Sequence, residues 1–263
     1  MDWKSFKEIE GKMSDRSVVR VLVWDENPSH APKEVYPHGI NGAIAEGLNE
    51  MGDGRIKAIT SNIDDLEQGV SENTLEQVDV LIWWGHIRQG QVYDSTAARI
   101  HRHAHERGLG FIALHSAHYS KPFQWVVQCP GHLKGGWREA TPADTEEIRV
   151  CAPRHPIAEG VTDFTLPQEE MYGAPFDVPP PSCLVLQSYF PMGGEYFPSG
   201  LCWTVGRGKT EGFTSGPGDG IGEGEGAGRA FYFRPGHETY PTYFDPNVRK
   251  IMHNAVLWCA HQT

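Results

Sequence analysis

The 263-residue chain carries 23 Lys and Arg against 34 Asp and Glu, a formal net charge of −11, and is 39% hydrophobic. That length suits one large α/β domain or two small ones, and the charge opposes nucleic acid or an anionic membrane as partner, favouring a neutral or cationic ligand or a metal. Five cysteines (Cys129, Cys151, Cys183, Cys202, Cys259) show no CxxC spacing, no run reaches the apolar length of a membrane span and the amino terminus lacks a signal-peptide core, so the expectation is a reduced, cytoplasmic protein.

Residues 1–17 are polar and charged and read as an amino-terminal arm; residues 18–263 read as a single α/β domain. Val18 to Trp24 has the β-branched density of a central strand. A polar loop, Asp25 to Pro37, leads to His38 and a helix over Gly39 to Met51, where Ile40, Ala43, Ile44, Gly47, Leu48 and Met51 fall at helical spacing. Ile56 to Ile59 and Val78 to Trp84 read as the next strands, the latter followed by Gly85-His86. A helix over 94–107 carries His101, His103 and His105, whose i, i+2 spacing scatters them around the helix and predicts solvated side chains. Phe111 to Leu114 is a strand apolar on both faces that ends in His115-Ser116-Ala117-His118, a tight strand-to-helix turn.

After Pro130 the texture changes to an irregular segment containing Trp137, Arg138 and Glu139, then β-like sequence from Glu146 to Val150 and a turn with a short helix over Arg154 to Val161. Glu169, Glu170 and Tyr172 cluster ahead of the Pro-rich 175–181, and strands are predicted at Cys183 to Tyr189, Gly200 to Val205 and Arg229 to Phe233. Residues 206–228 are glycine-rich with few apolar side chains, so a mobile loop is expected over 210–228. A phosphate cradle is disfavoured there because Glu and Asp intersperse the glycines and no helix follows, so no nucleotide cofactor is expected. Arg234-Pro235-Gly236-His237-Glu238 follows the last strand, and a helix from Pro246 to about Ala260 presents Val248, Ile251, Met252, Ala255, Val256 and Cys259 on one face.

Alternating strands and helices indicate βαβ units with a mostly parallel sheet covered on both faces. Right-handed crossovers place the carboxyl ends of the strands on one edge. His38, His86, His115, His118 and His237 therefore converge there by topology. Imidazole is the commonest zinc ligand and the group best suited to moving protons near neutral pH, while Glu139, Glu169, Glu170 and Glu238 would complete a metal shell or orient a histidine. Buried, hydrogen-bonded histidines without chemistry are the competing interpretation.

The segments YPHGI, DVLIWWGH, GFIALHSAHYSK, WRE, HPIAEG, EEMYG and FYFRPGHETYPTY occur in this order and resemble the ThuA-like family, named for trehalose utilisation, over nearly the whole chain from about Val18 to Ala260. The resemblance implies the fold of class I glutamine amidotransferases, a three-layer, flavodoxin-like α/β sheet, and a role in sugar metabolism, especially of disaccharides. In amidotransferases the nucleophile is a cysteine on a strand-to-helix elbow, with a distant His-x-Glu. Here His115 stands where that cysteine would be, and His237-Glu238 looks like the partner motif with the two residues adjacent. No cysteine lies at a motif, so thiolate-based amidotransferase activity is not expected. Ser116 is one residue past the apex, where its side chain should turn away from the pocket. Compared relatives carry a histidine nearer position 41, where this chain has Asn41, which sets His38 apart from a shared ligand set.

The expectation is then a protein acting on a disaccharide or keto-sugar. A divalent ion, zinc or similar, would be held by His86, His115, His118 and His237. His115, His237 and Glu238 would be catalytic, by isomerisation, elimination or glycosidic cleavage. Trp137, Arg138, Glu170, Tyr172, Arg234 and Tyr240 would bind the sugar, whereas Trp83 and Trp84 are more simply core residues. The alternative is a non-catalytic sugar-binding or regulatory protein on the same fold; a hydrolase with paired carboxylates would need Glu169 or Glu170 opposite a second acid. A homo-oligomer is the default for partners besides the sugar.

Overall fold

The computed structural model describes residues 18–206, 209–211, 221–223 and 227–263. The expected amino-terminal arm and most of the expected glycine-rich loop fall outside these residues; within the latter, Lys209–Glu211 and Ile221–Glu223 pair antiparallel.

One sheet of nine strands organises the chain: β1 (Val19–Asp25), β2 (Ile56–Asn62), β3 (Val80–Trp84), β4 (Gly110–Leu114), β5 (Asp144–Val150), β6 (Phe164–Glu169), β7 (Cys183–Phe190), β8 (Glu195–Val205) and β9 (Gly228–Phe233). Their order across the sheet is β2-β1-β3-β4-β9-β8-β7-β5-β6. The first five are mutually parallel, which is the flavodoxin-like order with β9 as its fifth strand. The remaining four extend the sheet through antiparallel pairings. Successive residues of the parallel strands enter opposite cores, as the two-residue period of a strand requires. Val21, Val23, Ile82, Trp84, Ile112 and Leu114 face one side, while Leu22, Trp24, Leu81, Trp83, Phe111 and Ala113 face the other.

The first side is covered by α1 (Gly39–Gly52) and α5 (Pro246–Cys259). Asp245 caps α5 through the Asn247 and Val248 amides, Pro246 occupies its first turn, and all six residues of the predicted apolar face are buried, as capping and amphipathicity dictate. The second side is covered by α2 (Glu72–Glu76), α3 (Asp94–Arg102) and α4 (Lys121–Val127), whose Leu75, Ile100, Phe123 and Val126 fill that core. The three layers are thereby complete.

The helix expected over 94–107 stops being regular at Arg102 and widens into a π-turn over His103–Arg107. This corrects the solvated reading of its histidines. His103 is buried, with Nε2 2.8 Å from Glu72 Oε1 and Nδ1 accepting from Arg107. His105 Nε2 donates to the Val126 carbonyl, and His101 stacks on His105 at 4.1 Å, one helical turn away.

Trp24 and Trp83 stack at 3.5 Å between ring centroids, both buried, with Trp24 Nε1 donating to the Gln68 carbonyl at 2.7 Å. Truncation would leave an unfilled cavity and an unpaired carbonyl in a layer that β1 and β3 share. Trp24→Ala is expected to lower the unfolding free energy by about 3–5 kcal/mol, read as a fall in the urea midpoint; a change below 1 kcal/mol would mean that the cavity collapses.

Candidate metal and acid-base site

Strand β4 ends in an elbow. His115 takes φ +54°, then a short 3-10 turn over His115–Tyr119 leads to α4, capped by Ser120. A left-handed backbone at a residue with a Cβ costs roughly 1–2 kcal/mol, so the surroundings must hold it. Tyr232 Oη donates to the His115 carbonyl at 3.0 Å, and His115 Nδ1 lies 3.3 Å from the Arg234 carbonyl. Because that carbonyl only accepts, Nδ1 carries the proton and the lone pair sits on Nε2. The side chain is fully buried, and burial, reinforced by His86, His237 and Arg234, keeps the imidazole neutral well below the ordinary histidine range.

Strands β3 and β9 flank β4, and each carries a histidine just past its carboxyl end. Neighbouring strands lie about 4.8 Å apart, so the three imidazoles meet. Ring centroids are 5.2 Å apart for His86 and His115, 5.4 Å for His115 and His237, and 5.0 Å for His86 and His237. With Glu238, one ligand atom from each lies within 4.8 Å of all the others. The turn before His237 is tight: Gly236 has φ +122°, and a Cβ there would lie 2.1 Å from Tyr243 Oη.

The two carboxylates at the site differ. Glu238 Oε1 accepts from His86 Nδ1 at 2.8 Å and from His30 Nε2. Burial alone would raise its pKa, but the His86 hydrogen bond and the charges of His237 and His86 outweigh it and bring the carboxyl down to about 2. The same contact works on His86, where burial opposes protonation yet Glu238 lifts the imidazole above its usual value. Glu170 Oε2 faces His115 Nε2 at 3.4 Å, and burial pushes this carboxyl up to about 7 despite His86 and Arg234. Glu238 Oε2 and Glu170 Oε2 are both buried without a hydrogen-bond partner. Acceptors so placed call for a cation or a proton.

Beneath this group lies Arg234, fully buried. Its guanidinium binds both oxygens of Glu146, with Nε at 3.0 Å from Oε1, and donates to the Glu170 carbonyl at 2.5 Å; Glu169 Oε2 is 3.4 Å away. Glu169 Oε1 in turn accepts from the Gly236 amide at 3.0 Å and Thr242 Oγ1 at 2.5 Å, which pins the turn carrying His237. Arg234 was expected to contact the sugar; burial among carboxylates corrects this, because no face of the guanidinium reaches solvent. Arg138, whose side chain is 29% exposed, is engaged by both oxygens of Asp144 and of Glu195.

His118 does not join the other histidines. Its Nδ1 donates to the Gly131 carbonyl at 2.6 Å, its ring is enclosed by Tyr119, Tyr172, Phe176 and Tyr232, and burial drives its pKa down to about 3. His38, just ahead of α1, is also outside the group, exposed and paired with Glu46. Tyr172 is buried, its hydroxyl 2.5 Å from Ser116 Oγ and 3.3 Å from His115 Nε2. Trp137, paired with Tyr172 across a short antiparallel ladder, is exposed, as is Glu139; Tyr240 is half-buried, its ring 5.5 Å from His237. Trp84 donates to the Gly236 carbonyl and lies nearly parallel to His115, so it is a core residue that also supports the site.

His30 was absent from the sequence expectations. Its signal was available, since it lies in the Asp25–Pro37 loop at the carboxyl end of β1, on the edge that gathers the other histidines. Glu146 was visible only as a polar residue at the start of a predicted strand. Arg234→Met is expected to cost about 3–5 kcal/mol of stability, by leaving buried carboxylates uncompensated. Glu146 would then take its proton more tightly folded than unfolded, so the deficit should deepen from pH 5 to pH 8. Urea unfolding at both values measures it, and a deficit independent of pH would assign the loss to packing alone.

The model of the family described as trehalose utilisation, ThuA, matches residues 20–259. No curated protein matches the chain in sequence. Among solved structures, a ThuA-like protein from Bacteroides uniformis is similar with a TM-score of 0.56 at 15% identity, over 94% of each chain. A glutamine amidotransferase from Thermotoga maritima aligns over 93% of this chain and 99% of its own, with a TM-score of 0.46 at 10% identity. No described helix is long and apolar enough to cross a membrane. With its family model spanning the sheet, the elbow and all four residues of the histidine-glutamate group, this chain belongs to the ThuA family of trehalose utilisation.

Proposed function

We propose that this protein acts on a disaccharide or keto-sugar at the His86, His115, His237 and Glu238 group, with a divalent cation of the zinc type bound there, and that it lacks amidotransferase activity. Family membership supplies the carbohydrate role. The observation that carries the rest is the gathering of three imidazoles and one carboxylate within 4.8 Å, beside buried carboxylate oxygens without partners. Three imidazoles, neutral once His86 gives up its proton, and one anion suit a divalent ion in number, donor type and charge. The hydrogen bonds of two of the three rings suit this use: His86 Nδ1 and His115 Nδ1 are occupied by Glu238 and the Arg234 carbonyl, which directs each Nε2 to the group, whereas His237 Nδ1 accepts from the Thr239 amide at 3.3 Å and its Nε2 proton would have to leave on metal binding.

When bound, the ion would polarise a hydroxyl or carbonyl oxygen of the sugar. The chain's own groups supply proton transfer. Glu170, with its carboxyl near pH 7 and facing His115, can give or take a proton near neutrality, as isomerisation, elimination or glycosidic cleavage each requires. Trp137 and Tyr240 offer ring faces at the rim for sugar stacking. Arg138 and Arg234 are engaged by carboxylates, which favours a neutral, hydroxyl-rich ligand over an anionic one. The net charge of −11 points the same way and away from nucleic acid. The elbow residue is an imidazole, and the thiols of Cys129, Cys151, Cys183 and Cys202 are all raised by burial, which disfavours a thiolate nucleophile. We further place the protein in the cytoplasm, where such thiols stay reduced.

The purified protein is expected to bind one zinc per chain, with a rise in thermal midpoint; His115→Ala and His237→Ala should each abolish both effects. Because Glu238 holds His86 protonated above the usual histidine range, zinc must displace that proton. Affinity should therefore climb as pH rises through and above about 6.5. Calorimetry in buffers of different ionisation enthalpy counts the proton released; a pH-independent affinity would remove His86 from the ligand set. Turnover of keto-disaccharides by the metal-loaded protein, and no ammonia release from glutamine, are the expected activities. Metal-independent turnover, or glutaminase activity, would refute the respective claim.

A further inference from the structure

The loop leaving β1 is tied to the loop leaving β3. Glu26 is buried and accepts from the Ile87 amide at 2.6 Å and the Arg88 amide at 2.8 Å, while Arg88 returns a bond to the Glu26 carbonyl at 2.9 Å. Asn27 takes a left-handed backbone and bonds Asp25 Oδ1 through its amide, and its side chain bonds Asp64. These contacts set residues 25–31 over the segment that carries His86. One consequence is the position of His30, whose Nε2 contacts Glu238 Oε1 and whose ring lies 6.1 Å from that of His86.

Glu238 Oε1 thus receives two imidazole N–H groups from loops after two neighbouring strands, and Glu238 Oε2 receives none. A carboxylate whose one oxygen is held by two donors cannot rotate without breaking both bonds, so the other oxygen keeps its direction. The side chain of His30 is 36% exposed and that of Glu238 2% exposed, so His30 closes the solvent side of the carboxylate.

We propose that His30 is a positioning residue for Glu238: together with His86 it saturates Oε1 and so reserves Oε2 for the cation. This rests on the metal reading above, and it adds a residue from the β1 loop to a site otherwise built from the ends of β3, β4 and β9. It also predicts a dependence that the ligands alone do not, namely that a half-exposed loop side chain controls metal affinity without contributing to the core.

The test uses the full-length chain and zinc in competition with a chromophoric chelator. His30→Ala should weaken zinc binding by about 10- to 100-fold, with the thermal midpoint of the metal-free protein unchanged, and His30→Gln, whose amide can still donate, should recover most of the affinity. Equal affinity in His30→Ala and wild type overturns the proposal, as does an equal loss in His30→Ala and His30→Gln, which would show that the hydrogen bond is not what matters. A second readout needs no metal: in ¹⁵N-resolved imidazole spectra of the metal-free protein, Glu238→Gln should shift the resonances of both His30 and His86. An unmoved His30 overturns the contact itself. If the contact is present but wild type binds no zinc, the metal reading fails and the positioning role fails with it, and the spectra identify that case separately.

Discussion

Arg234 is the charge on which the rest of the site depends. It sits at the junction of the parallel and antiparallel halves of the sheet, binds Glu146 on β5, and reaches the Glu170 carbonyl beyond β6. Its own carbonyl meets His115 Nδ1. One buried cation therefore connects the far antiparallel strands to the elbow on β4. Burial opposes its charge, yet Glu146 and Glu169 keep it protonated. Such a cluster adds little net stability compared with well-packed apolar residues, but removal of one member is costly. Its physical effect is to bring Glu169 and Glu170, at the end of the outermost strand and just past it, back to the centre of the sheet.

The result is a site with two carboxylates whose ionisation is shifted in opposite directions. Glu238 is held as an anion by two imidazoles, whereas Glu170 has its carboxyl pushed up to about 7 by burial. Two acids with environments that separate their ionisation are what acid-base chemistry at neutral pH needs. Between them stands His115, neutral, strained at φ +54° and stacked near Trp84. A non-glycine residue in that region persists only where the surroundings over-determine it. The bonds from Tyr232 and to the Arg234 carbonyl do so here.

Much of this was legible from local pattern. The parallel strands, the apolar face of α5, the elbow at His115 and the convergence of His86, His115 and His237 all follow from signals within one element: β-branched density, helical spacing and a histidine at a strand end. The failures share a different cause. His118 has the same local context as His115 but turns toward Gly131 and a cage of aromatic rings drawn from distant segments. A regular helix would leave His103 solvated; the π-turn instead rotates it into contact with Glu72. Arg234 is buried among carboxylates up to 88 positions away, as for Glu146, which no local pattern marks. His30 lay in a loop whose path no periodicity describes.

By itself, the order of residues along the chain determined the three-layer architecture and the edge on which chemistry gathers, because strand period, helix period and crossover handedness are local or topological rules. It also placed an imidazole, that of His115, at the strand-to-helix elbow after β4. Only the tertiary structure decided which histidines face one another, which arginines are neutralised and which carboxyl is pushed up and which down. Those outcomes depend on distances between residues far apart in sequence and on burial, and both are set when β9 closes beside β4 and Arg234 draws the antiparallel strands against the elbow.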